Sequence, residues 1–154
     1  MALDANKLVI RPLRQEDFEE VVRIDAEYTG ERREEYYRRL FNEILNAEHA
    51  IITSLAAEYD GKLVGFIAGT VFSGEFGIPE NTAYITTMGV DKNFVRMGIG
   101  KELFKEFVRN VRAAGVTRIY TIVDWEENWD LLSFFRKAGF KPSATKIYLE
   151  MEVP

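Results

Sequence analysis

The sequence predicts an α/β fold: a mixed, twisted sheet with helices on both faces. Two observations carry this expectation. Short β-rich apolar runs are interrupted along the chain by segments whose apolar residues recur at helical spacing. Two of the β-rich runs are also joined directly by Asp60-Gly61, a two-residue hairpin signal.

In chain order, Leu8-Val9-Ile10 ends at Pro12 and reads as a first strand. Gln15 to Tyr28 carries Phe18, Val21 and Val22 on one side, with Asp25 joining them, and predicts a helix that Gly30 interrupts. Glu31 to Asn46 predicts a second helix with the stripe Tyr36, Tyr37, Leu40, Phe41, Ile44 and Leu45. Ile51 to Tyr59 and Lys62 to Phe72 form the hairpin, a loop from Gly74 to Pro79 follows, and Ala83 to Val90 is a further strand. Gly98 to Ala114 is the clearest helix, with Ile99, Leu103, Phe104, Phe107, Val108 and Val111 on one face and Gly115 as its terminator. Arg118 to Val123 predicts a strand, and Trp129 to Ala138 a short helix with Asp130 as N-cap and Gly139 as stop. Lys146 to Val153 predicts a closing strand.

The 154 residues suit one domain spanning 1–154, with 47% hydrophobic and 29% charged residues. There is no apolar run of membrane-spanning length, and Met1 to Asn6 lacks the pattern of an export signal, so a cytoplasmic location without membrane attachment is expected. The absence of cysteine excludes disulfides, thiolate metal sites and a cysteine nucleophile, and His49 is the single imidazole, so no metal is expected. A net charge of −5 argues against nucleic acid as a partner. Residues 16–35 hold nine acids against three arginines, a local balance of −6. Such a segment is either a solvated pair of helix faces or an acidic rim that attracts a cationic amine.

The most informative stretch runs from Met88-Gly89-Val90 to Arg96-Met97-Gly98-Ile99-Gly100-Lys101. A strand ends, a short loop follows, and a long helix opens on two glycines. The first turn of a helix has backbone N–H groups without intrahelical partners and carries partial positive charge. Glycines let a phosphate oxygen approach those donors, and Arg96 and Lys101 add full charges, so a pyrophosphate fits the pattern. A nucleotide P-loop would need glycine at Val95 and Ser or Thr at Glu102, and a dinucleotide fingerprint would need glycine at Leu103.

In this context the segment resembles motif A of the GNAT acetyltransferases, Gln/Arg-x-x-Gly-x-Gly/Ala. Val95 stands at the usual Gln/Arg position, and Arg96 where many members carry glycine. Downstream, Asn128, Phe134, Lys137, Gly139 and Phe140 match the family's later motif, Asn-x-x-Ala-x-x-Phe-Tyr-x-Lys-x-Gly-Phe. The resemblance implies a single-domain, mostly antiparallel mixed sheet of six to seven strands with about four helices. It also implies acetyl-CoA as co-substrate. Met88, Gly89 and Val90 would then offer backbone groups to the pantetheine arm, Arg96, Met97, Gly98, Ile99, Gly100 and Lys101 would hold the pyrophosphate, and Asn128 would contact the pantetheine or the first helix turn beyond it.

Acetylating an alkyl amine of pKa near 10.4 requires the neutral form, which costs about 4.6 kcal/mol at pH 7. The position where the family usually carries a thiolate-protonating tyrosine is Phe135, and a frequent carboxylate position aligns with Val123. Glu75 in its loop and Asp124 at a strand end are therefore the first candidates for the base, with Tyr84 on the motif A strand third. Each also has a plainer role: a solvated loop acid, a turn-former and a core aromatic. The two N-terminal helices, with Glu27, Tyr28, Tyr36 and Tyr37, would build the site for a small-molecule or peptide amine. Two functions stay open: an N-acetyltransferase, and a non-catalytic acyl-CoA-binding or sensing module. The aromatic strands would support a homodimer.

Overall fold

A computed structural model describes residues 2–46, 53–72, 81–124, 126 and 129–154. The chain divides into two compact units, Met1–Thr121 and Ile122–Pro154. The first unit holds a five-stranded sheet in the order β1 (Leu8–Pro12), β2 (Ser54–Tyr59), β3 (Lys62–Phe72), β4 (Thr82–Val90), β5 (Arg118–Tyr120). The first four pair antiparallel, and β4 pairs parallel with β5. A parallel neighbour needs a crossover, supplied by the helix α3 (Ile99–Ala113). Before β2 come a 3-10 turn, Gln15–Asp17, and the helices α1 (Phe18–Thr29) and α2 (Glu34–Leu45). The first helix therefore starts at Phe18, three residues later than its apolar pattern suggests.

The β2–β3 turn is the expected one. Asp60 and Gly61 have φ of 55° and 81°, the doubly positive geometry whose twist matches the strands it joins. Strand β3 is buried over seven consecutive residues because helices cover both faces of the sheet. On one face, Phe66 packs with Ile24, Val21 and Val22 of α1 and Tyr37 and Phe41 of α2. On the other, α3 lies so close that a Cβ at Gly69 would sit 2.7 Å from the Phe107 ring and 2.7 Å from the Tyr84 carbonyl oxygen. Any larger residue at Gly69 must push backbone aside. Helix α3 ends as its sequence indicates: Gly115 adopts φ 87°, its N–H bonds to the Arg112 carbonyl and the Val116 N–H to the Val111 carbonyl. The entry to α1 is tied to the sheet by Arg11, which bonds both oxygens of Asp17 and one of Glu58.

The second unit contains α4 (Trp129–Lys137), closed by the same two-bond pattern at Gly139, whose φ is 110°. Asp130 lies inside the first turn of α4 and not at its cap. Two expectations on strands are corrected. Arg118 to Val123 is a strand only as far as Tyr120, and Lys146 to Val153 is not a strand. Ile147, Leu149, Met151 and Val153 alternate along that segment and are 80% or more exposed. Alternation supplies an apolar face, but a strand exists only where its N–H and C=O groups meet a neighbour. The sheet accordingly has five strands among the described residues instead of six to seven. No described helix is long and apolar enough to cross a membrane.

Candidate active site

Strand β4 organises the site. Its register against β3 steps from Thr87 opposite Ala68 to Ile85 opposite Gly69, so Thr86 is an extra residue. A bulge of this kind bends and twists its strand. The ladder from β4 to β5 covers only Thr82–Tyr84, and one further bond, from the Thr121 hydroxyl to the Ile85 carbonyl, follows it. Past Ile85 no ladder joins β4 to β5 among the described residues. Met88, Gly89 and Val90 pair with Ile67, Phe66 and Gly65 on β3, and all three are half-buried.

The loop after β4 is built on Asp91, a residue that the sequence reading passed over. Its N–H bonds to the Val64 carbonyl at 2.8 Å, extending the β3–β4 ladder by one residue. Its fully buried carboxylate accepts the Asn93 N–H at 2.9 Å and Arg23 Nη2 at 2.9 Å. Burial opposes the charge, but the Asn93 N–H and the Arg23 guanidinium outweigh it and hold the acid below the usual carboxylate range. An Asp two residues before an Asn at a strand end is the signal that could have found it, since this is the spacing of a side-chain-capped turn.

From Asp91 a 3-10 turn, Lys92–Phe94, leads to Arg96 at φ 64° and Gly98 at φ 90°, both left-handed. Buried Met97 between them anchors the loop to the core. Arg96 thus holds a conformation that glycine adopts without penalty and that costs a side-chain-bearing residue about 1 kcal/mol. Gly98 is the N-cap of α3, and no side chain caps the first-turn N–H groups. A Cβ at Gly98 would meet nothing within 4 Å. Exposed donors, open space and the exposed Arg96 and Lys101 fit a pyrophosphate at this helix start.

On the other side of β4 stand the N-terminal helices. Asp25 of α1, 8% exposed, receives Arg33 through Nη2 at 2.6 Å and Nε at 2.8 Å, and the Tyr37 hydroxyl at 2.9 Å. The Tyr37 oxygen lies 3.2 Å from Thr87 Oγ1 on β4. Burial pushes the Tyr37 phenol up, the Thr87 contact opposes this, and the Asp25 charge adds to it. The Arg33 guanidinium also lies over the Tyr36 ring at 4.6 Å. Tyr28 donates its hydroxyl to the Val90 carbonyl, and Arg23 spans Glu20, Glu27 and Asp91. Seven acids of the segment are therefore paired with arginines inside and outside it, Arg32 engaging Glu19 and Glu34, Arg38 engaging Glu35 and Arg11 engaging Asp17.

The structure brings Met88 to Lys101 and the helices bearing Glu27, Tyr28, Tyr36 and Tyr37 to one strand. Of the other expected residues, Tyr84 lies on the same strand and Asp124 in the second unit. Tyr84 stacks on Tyr120 at 4.7 Å and lies 6.5 Å from Phe72, as a packed aromatic does. Asp124 belongs to the second unit, where Oδ1 accepts the Glu126 N–H at 3.2 Å in a local turn. Phe135, in the same unit, packs against Phe134 and Phe140. Glu75 and Asn128 lie outside the described residues.

A family model described as Acetyltransferase (GNAT) family matches residues 17–140. No curated protein sequence matches the chain. Among solved structures, Ard1 from Thermoplasma volcanium is similar at 26% identity and TM-score 0.71, over 90% of this chain and 85% of that one. The aminoglycoside N-acetyltransferase AAC(6')-Iy in complex with CoA shares the fold at TM-score 0.76 and 18% identity, over 95% of each chain. The ribosomal-protein-S18-alanine N-acetyltransferase from Escherichia coli does so at TM-score 0.69 and 16% identity, over 89% of this chain and 79% of that one.

Proposed function

Since the chain belongs to the GNAT acetyltransferase family, we propose that it transfers an acetyl group from acetyl-CoA to a primary amine of a small molecule or peptide, in the cytoplasm. The observation that carries this reading is the end of the β4–β5 ladder at Tyr84, with one further bond at Ile85, ahead of a loop that leads into an α3 start whose N-cap is glycine. Met88 to Val90 would hold the pantetheine arm by backbone bonds, and one of their N–H groups would receive the oxyanion. Arg96 to Lys101 would hold the pyrophosphate, and Asn128 the arm between them. The amine nitrogen forms a bond to the thioester carbon, the C–S bond breaks, and the amine proton leaves through a base. Coenzyme A departs as thiolate or thiol. The names of the aminoglycoside and ribosomal-protein-S18-alanine N-acetyltransferases that share its fold support keeping both small-molecule and peptide amines among the acceptors.

Glu75 and Asp124 remain the first candidates for the base, and Tyr84 the third, its stacking on Tyr120 favouring a packing role. With Glu75→Gln and Asp124→Asn measured separately, a loss of kcat/KM in one variant that is steepest at the acid end of pH 6 to 9 identifies the base. Unchanged profiles in both exclude the two acids. The alternative, a non-catalytic acyl-CoA-binding module, is favoured by Phe135, which cannot protonate a thiolate and is packed among aromatics. Calorimetric titration with coenzyme A and acetyl-CoA, followed by a turnover screen over primary amines, tests both readings. Saturable binding with turnover supports the enzyme, binding without turnover supports the module, and no binding removes both. The exposed alternating face of Ile147, Leu149, Met151 and Val153 supports a homodimer, which light scattering on the eluting protein would register as twice the 17.8 kDa chain mass.

A further inference from the structure

Across the face of β4 that meets α1 and α2, four side chains form one hydrogen-bonded line: Arg33, Asp25, Tyr37 and Thr87. The direction of its protons follows from counting. Arg33 can only donate, and it fills one oxygen of Asp25 and shares the other with Tyr37. Tyr37 has one hydroxyl proton, and the carboxylate, the stronger acceptor, takes it. The Tyr37 oxygen must then accept from Thr87, which commits the only proton of the Thr87 hydroxyl. What Thr87 has left is lone pairs. Half-buried on β4, next to Met88 and one residue past the bulge, it is an acceptor fixed in direction by three residues behind it.

We infer that Thr87 Oγ1 is the anchor of the acceptor subsite, receiving an N–H of the incoming amine beside Met88, with Tyr37, Asp25 and Arg33 as the residues that hold its lone pairs outward. The inference rests on the acetyltransferase reading and specifies its second substrate site. An oriented acceptor admits an N–H donor and disfavours a carboxylate or phosphate at the same point. Binding one N–H from the α1–α2 side also turns the nitrogen lone pair toward the strand segment where the thioester would lie. The line does not serve as the base. Asp25 is neutralised by a two-point contact with Arg33, and burial keeps the Tyr37 phenol protonated through the neutral range. This role also accounts for a partly buried ion pair between α1 and the residue that caps α2, which the apolar packing of those helices does not require.

The test uses Thr87→Val, which keeps the shape and removes the hydroxyl, Thr87→Ser, which keeps the hydroxyl, and Tyr37→Phe, which keeps the ring. Each full-length variant is assayed with acetyl-CoA and a panel of a free-α-amine peptide, a diamine and an aminoglycoside, and its acetyl-CoA affinity is measured by calorimetry. Removing one neutral hydrogen bond predicts that Thr87→Val and Tyr37→Phe each lower kcat/KM for the amine by about 3- to 10-fold, with acetyl-CoA affinity unchanged. Thr87→Ser should stay near wild type, and the Thr87→Val, Tyr37→Phe double variant should lose little more than the worse single one, because both break one line. Wild-type amine kinetics in Thr87→Val, or additive losses in the double variant, would overturn the inference and leave the enzyme reading intact. If the wild-type protein binds acetyl-CoA and acetylates no member of the panel, the enzyme reading falls and the subsite with it.

Discussion

The two sides of β4 are built from different materials. On the side of the 91–98 loop, the proposed recognition groups are backbone: the edge of Met88 to Val90 and the first-turn N–H groups of α3. On the side of α1 and α2 the proposed ones are side chains in a line that runs from the Arg33–Asp25 ion pair through Tyr37 to a neutral bond at Thr87. Backbone donors depend on main-chain shape, so their position is set by φ angles at Arg96 and Gly98 and by the pinning of Asp91. A side-chain line depends on residue identity at each link. A shared cofactor suits the first kind of site, and a variable acceptor suits the second, because one substitution can re-aim it.

The comparison can be broken most forcefully at Gly98. Gly98→Trp adds bulk at the start of α3, where its Cβ would have no protein atom within 4 Å. Affinity for coenzyme A should fall by about 100-fold or more, the fold should survive with a loss of about 1 kcal/mol for the left-handed residue, and calorimetry with thermal melting separates the two. A smaller effect is expected at Asp91, which touches both sides through the loop N–H of Asn93 and Arg23 of α1. Asp91→Asn should cost about 1–2 kcal/mol at neutral pH. The sign of its pH dependence follows from the lowered folded pKa. The contribution of the carboxylate is present above the ordinary value of 3.8 and is lost as pH falls through the folded value, so wild type and variant should converge in acid. Denaturant melts from pH 7 down to pH 3 measure the gap, and a gap that stays constant would contradict the assignment. The finest distinction is at Arg96. Arg96→Gly removes a charge but relieves the φ of 64°, so stability should hold or rise by about 0.5–1 kcal/mol while coenzyme A binding weakens a few-fold and loses salt dependence.

The same contrast explains what could be read without coordinates. The hairpin at Asp60-Gly61, the stop at Gly115 and the start of α3 at Gly98 were legible because each depends on glycine at a left-handed position or on a helical stripe, both local properties. Asp25 was placed on the inner face of its helix, but its partners were not, since Arg33, Tyr37 and Thr87 meet it only after α2 and β4 have packed. The bulge at Thr86 left no mark in the sequence either, because register is settled between strands. Lys146 to Val153 failed in the opposite direction: the pattern of a strand was present and the pairing was not.

The three-residue ladder between β4 and β5 has a consequence for how the sheet breathes. Strands β1 to β4 are sewn by long antiparallel ladders, while β5 is held by Arg118 to Tyr120, the Thr121 bond and the stacking of Tyr120 on Tyr84. In amide hydrogen exchange, β5 should therefore open as a unit of its own, at a free energy well below that of global unfolding. A molecule that hydrogen-bonded to β4 past Ile85 would stiffen the strand on which β5 rests, and protection of Arg118 to Thr121 amides would then report its arrival at a distance from any atom that it touches.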